Sequence, residues 1–169
     1  MWRKGLLLAL LVLVLDQLSK LWALAALRDP PVVIEVLPFW NYVLVWNRGV
    51  SFGLFGDGAM PPLVLAAVTG AIAVCVAVWM FRAVRLSTAI ATGLVLGGAI
   101  GNIIDRLVHG AVVDFVDWHA FGYHWPVFNV ADSGITLGIV VLLAESLFIK
   151  EARNLSLIHI SEPTRPNNI

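Results

Sequence analysis

The sequence is poor in charge and in cysteine, and both shortages narrow its class. Of its 169 residues, 13% are charged and 60% are hydrophobic, whereas about a quarter of the residues of a soluble domain are charged. This composition excludes an ordinary soluble domain and indicates a membrane protein. The formal net charge is zero, so nothing favours a nucleic-acid partner. The single cysteine, Cys75, lies in an apolar run, which excludes an intramolecular disulfide and predicts a small buried hydrophobe.

Long apolar stretches, in contrast, are abundant. A helix needs roughly 20 apolar residues to span a bilayer, and four segments qualify: Gly5–Leu27, Leu63–Phe81, Leu86–Ile104 and Ala131–Ile149. The sequence therefore predicts an all-α membrane protein with four transmembrane helices, in a single domain over residues 1–154.

The first segment carries charge inside its apolar run. It imitates the charged, apolar and cleavage regions of a signal peptide, but Asp16 and Lys20 stand where a signal peptide has no use for them. Four positions apart on a helix, they share a face and can pair. Two explanations for this pair stay open: the two charges neutralise each other, or they support a functional site.

The distribution of Lys and Arg predicts the orientation. Three basic residues fall on one side of the predicted bundle, Arg28, Arg48 and Arg106, and six on the other: Arg3, Lys4, Arg82, Arg85, Lys150 and Arg153. We therefore expect both termini in the cytoplasm. The long connections, residues 28–62 and 105–130, then face outward.

The first outer connection is rich in β-branched and aromatic residues. Val32–Leu37, Asn41–Trp46 and Val50–Phe55 are separated by turn residues, which predicts a small antiparallel extracytoplasmic sheet on the outer membrane surface. Its aromatic side chains suit the interface. Two explanations stay open for these aromatic residues: an interfacial belt, and a cradle that also touches substrate.

The third segment has small residues on one face. Glycine recurs every fourth position from Gly93 to Gly101, which lets helices approach closely. Asp105 follows one turn further on, with Asn102 and Arg106 beside it. This pattern predicts a polar cluster that points into the bundle rather than toward lipid.

Two aspartates, Asp114 and Asp132, lie beside membrane-spanning segments. An ionisable group at a membrane boundary is a functional-site hypothesis by default, and two carboxylates that share a proton perform the chemistry of an aspartic protease. Asn129 is a predicted N-cap, which places Asp132 in the first turn of the last helix, where the dipole favours its ionised form. Asp114 is predicted to lie in a loop with apolar neighbours that favour its neutral form.

The carboxyl end differs from the rest of the chain. Residues 155–169 resemble the translation of a sequencing adapter joined to a truncated reading frame. We expect this tail to lie outside the fold and exclude it from the functional reasoning.

Five strings, taken in order, resemble the bacterial lipoprotein signal peptidase (signal peptidase II) family. They are Asp16–Lys20, Asn47–Phe52, Gly97–Arg106, Val112–Phe115 and Phe128–Ser133. The likeness covers about residues 5–150. Each string is weak alone, but their shared order and spacing make the resemblance specific.

The resemblance implies an intramembrane aspartic endopeptidase that cuts a prolipoprotein before its diacylglyceryl-modified cysteine. Asp114 and Asp132 would be the catalytic pair, with no metal and no cofactor. The family pattern also implies supporting or substrate-binding roles for eight residues: Asp16, Lys20, Asn47, Gly49, Asn102, Asp105, Arg106 and Asn129. Expected partners are the prolipoprotein, membrane lipid and a cyclic-peptide inhibitor of the globomycin type. The expected location is the bacterial inner membrane, with the site near its outer face.

Three other functions have some support in the sequence. Gly49–Gly53 matches the serine-hydrolase elbow G-x-S-x-G, but the large α/β sheet that this motif needs is not predicted. A membrane metalloprotease could use residues among His109, His119, His124, Asp114 and Asp117, but the sequence lacks H-E-x-x-H. A transporter or channel could use the charged residues as an ion path, yet most acids fall at the outer face instead of threading the bilayer.

Overall fold

Four long helices dominate this computed structural model, which describes residues 1–49 and 61–160, and in the last helix side chains up to Leu147. Within those residues the helices are α1 (Trp2–Leu27), α2 (Pro62–Phe81), α3 (Leu86–His109) and α4 (Val130–Ile160). Each contains a stretch long and apolar enough to cross a membrane. The four predicted spans are thereby confirmed.

The helix ends follow local rules, with one instructive difference. Pro62 occupies the first turn of α2, where its missing N–H costs nothing. The apolar run predicted for α3 ends at Ile104, but the helix continues to His109 and includes Asp105, whose side chain is buried inside the protein. Gly110 then adopts the left-handed conformation (φ 72°) that ends the helix and turns the chain.

Helix α3 is the centre of the bundle and contacts the other three helices. The predicted glycine face makes this possible. A Cβ atom on Gly97 would collide with Ala9 of α1, and one on Gly98 would collide with Ala131 of α4. The prediction that this face packs against other helices, with Asn102 and Asp105 buried, is confirmed.

A four-stranded antiparallel sheet lies beside the bundle, in the order β1 (Ile34–Leu37), β2 (Trp40–Asn47), β3 (Val112–Ala120) and β4 (Tyr123–His124). The first two predicted strands are confirmed. The third, Val50–Phe55, falls outside the described residues. Strand β2 pairs with β1 on one side and with β3 on the other.

Strand β3 corrects one prediction. We expected Asp114 to lie in a loop, but it lies within β3, which pairs with β2 so that Val45 faces Asp114 and Asn47 faces Val112. Side chains two apart on a strand share a face. Asn47 and Asp114 are therefore diagonal neighbours on one face of the sheet.

A small apolar cluster fixes the sheet against the end of α1. Ala23 and Leu27 of α1 are buried against Phe115 of β3, and Tyr42 and Leu44 of β2 pack onto them. Since Phe115 follows Asp114 directly, this packing also fixes the position of Asp114 along the axis of α1.

Two further predictions concern single segments. Cys75 is exposed on α2, not buried as predicted; on a helix that spans a membrane, such a face meets lipid rather than protein. Helix α4 continues to Ile160, six residues into the segment 155–169 that we excluded. The domain boundary at residue 154 stays a prediction.

Candidate active site

Asp114 is almost completely buried, at 1% exposure, and accepts hydrogen bonds on both carboxyl oxygens. Asn47 Nδ2 donates to Oδ2 at 2.9 Å, and Asn129 Nδ2 donates to Oδ1 at 2.6 Å. The Asn47 amide is itself oriented, because its Oδ1 accepts from the backbone N–H of Gly49 at 2.8 Å. Gly49 has φ 76°, a conformation that favours glycine.

Asp132 lies in the first turn of α4, as predicted. The N-cap prediction is also confirmed, since Asn129 Oδ1 accepts the backbone N–H of Asp132 at 2.9 Å. The bond is reciprocated: Asp132 Oδ2 accepts the backbone N–H of Asn129 at 3.4 Å. This arrangement is a capping box with an aspartate in place of the usual glutamate.

Two buried asparagines connect the aspartates. Asn129 binds Asp114 through its side chain and Asp132 through its backbone. Asn102 Nδ2 donates to Asp132 Oδ1 at 2.9 Å, and its Oδ1 accepts from Asn129 Nδ2 at 3.3 Å. The two carboxyl groups thus belong to one hydrogen-bonded network.

Three charged residues, Asp16, Lys20 and Asp105, form an ion triad. It is connected to this network through the hydrogen bond from Lys20 to Asn102. Lys20 Nζ is 2.8 Å from Asp16 Oδ2 and 2.9 Å from Asp105 Oδ2, and all three side chains are buried. Gln17, which was not among the predicted site residues, donates from Nε2 to the carboxylates of Asp16 and Asp105, each at 3.2 Å. Its role could have been inferred from the sequence, because Gln17 is a polar residue next to Asp16 in an apolar span.

Arg106 completes the predicted set. Its Nη1 donates to the Asn102 carbonyl oxygen at 3.3 Å, and its guanidinium lies close enough to interact electrostatically with Asp132, Asp114 and Asp105. Its buried Nε has no hydrogen-bond partner among the described residues. The positive charge of Arg106 lies within reach of both aspartates.

Burial dominates the electrostatics of Asp114 and raises the pKa of its carboxyl from 3.8 to about 7. The hydrogen bonds from Asn47 and Asn129 oppose this effect, and the negative charge of Asp132 reinforces it. A carboxyl group that titrates near neutral pH can hold a proton or release it during a reaction.

A pocket of about 800 Å³ opens beside Asp132 and Asn47. One wall is the segment before α4, including Trp125 and Phe128, and another is the face of α4 that carries Leu137. Its size falls within the range of ligand sites. The lining is mostly apolar, with the polar groups at the aspartate end.

The ten predicted site residues fall into one cluster, joined by hydrogen bonds and ion pairs. The five residues considered for a metal site do not form one cluster. His119 and His124 stack beside Asp117, whereas His109 packs on Trp46. Within residues 1–49 and 61–160, no group of three or more His, Cys, Asp or Glu has the arrangement of a metal site.

Comparison with known proteins identifies the family of the chain. A family model described as "Signal peptidase (SPase) II" matches residues 8–148. The chain belongs to the signal peptidase II family. It is therefore a multi-pass membrane protease of that family.

Relatives in this family resemble the chain over most of its length. A protein named lipoprotein signal peptidase from Rhodopseudomonas palustris is 45% identical over 151 residues, 86% of this chain and 92% of the relative. One of the same name from Xanthomonas oryzae pv. oryzae is 40% identical over 154 residues, 89% of this chain and 93% of the relative.

Two solved structures share the fold. A bacterial membrane enzyme solved by the in meso method at 1.9 Å is 32% identical, with a TM-score of 0.73, over 85% of this chain and 92% of the other. A second, solved at 2.3 Å, is 27% identical, with a TM-score of 0.68, over 98% and 94%. The fold of four helices and a small sheet is thus that of bacterial membrane enzymes.

Proposed function

We propose that this signal peptidase II family member is an intramembrane aspartic endopeptidase. It removes the signal peptide of prolipoproteins by cutting before the diacylglyceryl-modified cysteine, and Asp114 and Asp132 are its catalytic pair. The observation that carries the proposal is Asn129, whose side chain binds Asp114 and whose backbone binds Asp132. A single buried residue thus holds two carboxyl groups at one place.

The different surroundings of the two aspartates support a division of labour. The pKa of Asp114, raised to about 7 by burial, favours its protonated form, and Asp132 lies where the dipole of α4 favours a negative charge. In the free enzyme Asp132 is the general base that activates water, and Asp114 is the acid that protonates the carbonyl oxygen. Because the groups are coupled, their apparent pKa values belong to the pair.

The surroundings of the pair suit a peptide with lipid attached. The apolar pocket beside Asp132 accepts the hydrophobic residues or the acyl chains, and Asn47 at its rim can bind the peptide backbone. The positive charge of Arg106, which interacts with both aspartates, is a candidate to stabilise the carbonyl oxygen, where negative charge develops. A cyclic-peptide inhibitor of the globomycin type would occupy the same pocket.

The proposed location is the bacterial inner membrane, with both termini in the cytoplasm and the catalytic pair near the outer face. The excess of Lys and Arg at the ends and at the α2–α3 turn supports this orientation. At that position the catalytic pair would meet the bond to be cut while the lipid of the prolipoprotein stays in the bilayer.

Asparagine at each aspartate tests the catalytic pair. We expect purified Asp114→Asn and Asp132→Asn variants to lose prolipoprotein cleavage by at least about 10³-fold, since removing a member of a catalytic unit costs that much or more. Asparagine mimics a neutral carboxyl, so Asp114→Asn should be the milder variant. A gel-shift assay on a diacylglyceryl-modified prolipoprotein measures the cleavage.

Asp117→Asn is the matched control, because Asp117 is a buried aspartate on the same strand but bonds to His124 instead. It should retain most of the activity. Wild-type turnover by either variant of the pair would refute the catalytic assignment. A milder Asp132→Asn variant would reverse the roles and leave the pair in place.

A further inference from the structure

The ion triad also forms a hydrogen bond to Asn102, which lies outside the triad. The Lys20 ammonium has three acceptors for its three protons, Asp16 Oδ2, Asp105 Oδ2 and Asn102 Oδ1, the last at 3.0 Å. Its hydrogen-bonding capacity is therefore fully used. Because Asn102 Oδ1 faces the ammonium, Asn102 Nδ2 faces Asp132.

The two carboxylates of the triad bind the backbone at equivalent places. Asp16 Oδ1 accepts the backbone N–H of Ala131 at 2.8 Å, and Asp105 Oδ2 accepts that of Val113 at 3.0 Å. Ala131 immediately precedes Asp132, and Val113 immediately precedes Asp114. Each carboxylate therefore fixes the backbone one residue before a proposed catalytic aspartate.

We propose that Lys20 is a positioning residue that sets the separation and orientation of the catalytic pair. It holds together the two carboxylates that anchor α4 and β3, and it orients the Asn102 amide toward Asp132. The inference rests on the proposed function, because it takes Asp114 and Asp132 as the reacting groups.

General energetics favour positioning over simple stabilisation. A buried ion pair contributes little net stability, since desolvation offsets the attraction between the charges. The glycine face of α3 already packs the helices closely without charge. Catalysis, in contrast, requires its groups to be placed within about 0.5 Å, and a misplacement of about 1 Å can lower the rate by roughly 10²-fold. The pair sits on two separate elements, so it needs a connection of this kind.

Lys20→Met tests the proposal, because methionine keeps the length of the side chain and removes the charge. With a fluorogenic lipopeptide we expect kcat to fall by about 10²-fold and KM to change little. The positive charge of Lys20 lowers the pKa of Asp114. Its removal should therefore move the alkaline limb of the pH–rate profile to higher pH.

A double variant, Asp16→Asn with Lys20→Met, separates positioning from folding. It keeps the net charge of the wild-type triad, and the asparagine oxygen can still accept from Ala131. We expect its thermal stability to recover toward wild type while kcat stays low. Glu145→Gln is the control, since Glu145 is a charged residue of α4 that binds Thr88 instead of the triad; its kcat should be unchanged.

Three results would overturn the proposal. They are wild-type kcat in Lys20→Met, recovery of kcat together with stability in the double variant, and an unmoved alkaline limb in Lys20→Met. Failure of the proposed function is distinguishable from all three, because it would appear as cleavage by Asp114→Asn in the same assay.

Discussion

Replacing Asp114 with asparagine should stabilise the folded protein at alkaline pH, although we expect it to abolish cleavage. The carboxyl group has a pKa of 3.8 when unperturbed and about 7 when folded, chiefly because it is buried. Below about pH 3.8 both states hold the proton and folding incurs no cost. Between about pH 3.8 and 7 the folded state binds more protons than the unfolded state, so stability falls as pH rises. Above about pH 7 the cost is constant.

The size of the effect follows from the same two pKa values. Each pH unit between them corresponds to 1.36 kcal/mol, so the ionised carboxyl lowers the free energy of unfolding by about 4 kcal/mol at pH 8. The asparagine amide removes this cost. Its NH2 group, however, must face one of the two donors, Asn47 or Asn129, which costs about 1–3 kcal/mol. We expect a net gain of about 1–3 kcal/mol at pH 8.

Thermal unfolding of protein in nanodiscs, followed by the fluorescence of the seven tryptophans, measures the difference. For a chain of this size 1 kcal/mol moves Tm by about 2–4 °C, so Tm of Asp114→Asn should exceed wild type by about 2–12 °C at pH 8. At pH 4.5 the gain should vanish or reverse. Asp117→Asn should show no alkaline gain, because it gives up the 2.8 Å contact with His124.

A variant less stable than wild type at pH 8 would refute the reasoning. So would a difference in Tm that does not depend on pH, because a change in packing alone has no titrating group. The first outcome would mean that the amide costs more than the ionised carboxyl does, and the second that burial does not make the ionised Asp114 carboxyl costly.

Two other predictions concern the helix packing and the orientation. Gly101→Ala should lower cleavage at least about 10-fold and stability by about 1–3 kcal/mol, because the added methyl group would collide with the α1 carboxylate of the ion triad. Gly70→Ala, which has open space around it, should change neither, as activity and Tm measured side by side would show. In a Cys75→Ser background, a cysteine at His119 should react with an impermeant thiol reagent added to the outside of cells, and one at Ser87 should not. Labelling of the cysteine at position 87 but not of the one at position 119 would contradict the predicted orientation.

The helices and the start of α4 were predictable because their signals are local. An apolar run long enough to cross a bilayer can be recognised without knowing its neighbours. The cap at Asn129 depends only on the residue type and on the three residues after it. The glycine spacing of α3 predicted close packing, although the partners that Gly97 and Gly98 meet on α1 and α4 could not be identified.

Strand β3 was not predicted, because its stability is not local. Acidic residues are depleted in strands, so Asp114 and Asp117 favoured a loop. Their cost is offset by Asn47 and Asn41 of β2, amide donors that lie 67 and 76 positions away. No local pattern shows such a pairing. The alternation of β-branched and aromatic residues in 112–118 was the signal that could have been used.

The resemblance gave the set of site residues, but not how they are connected. Asp16 and Asp105 were named as supporting charges, yet their bonds to the backbone of Ala131 and Val113 depend on how three helices and a sheet meet. Gln17 was overlooked because its contacts come from two helices. Connections of this kind follow from tertiary structure and cannot be derived from spacing.

The bond between Asp16 and Ala131 joins residues 115 positions apart in the sequence, and this separation constrains the biogenesis of the protein. Helix α1 is synthesised before α3 and α4, and it already carries Asp16 and Lys20. Until α3 and α4 follow, each has only the other as a charged partner, one helical turn away. Their pairing lowers the cost of inserting α1 into lipid. The bond between Asp16 and Ala131 can form only when α4 packs against α1, so the proposed site is assembled last.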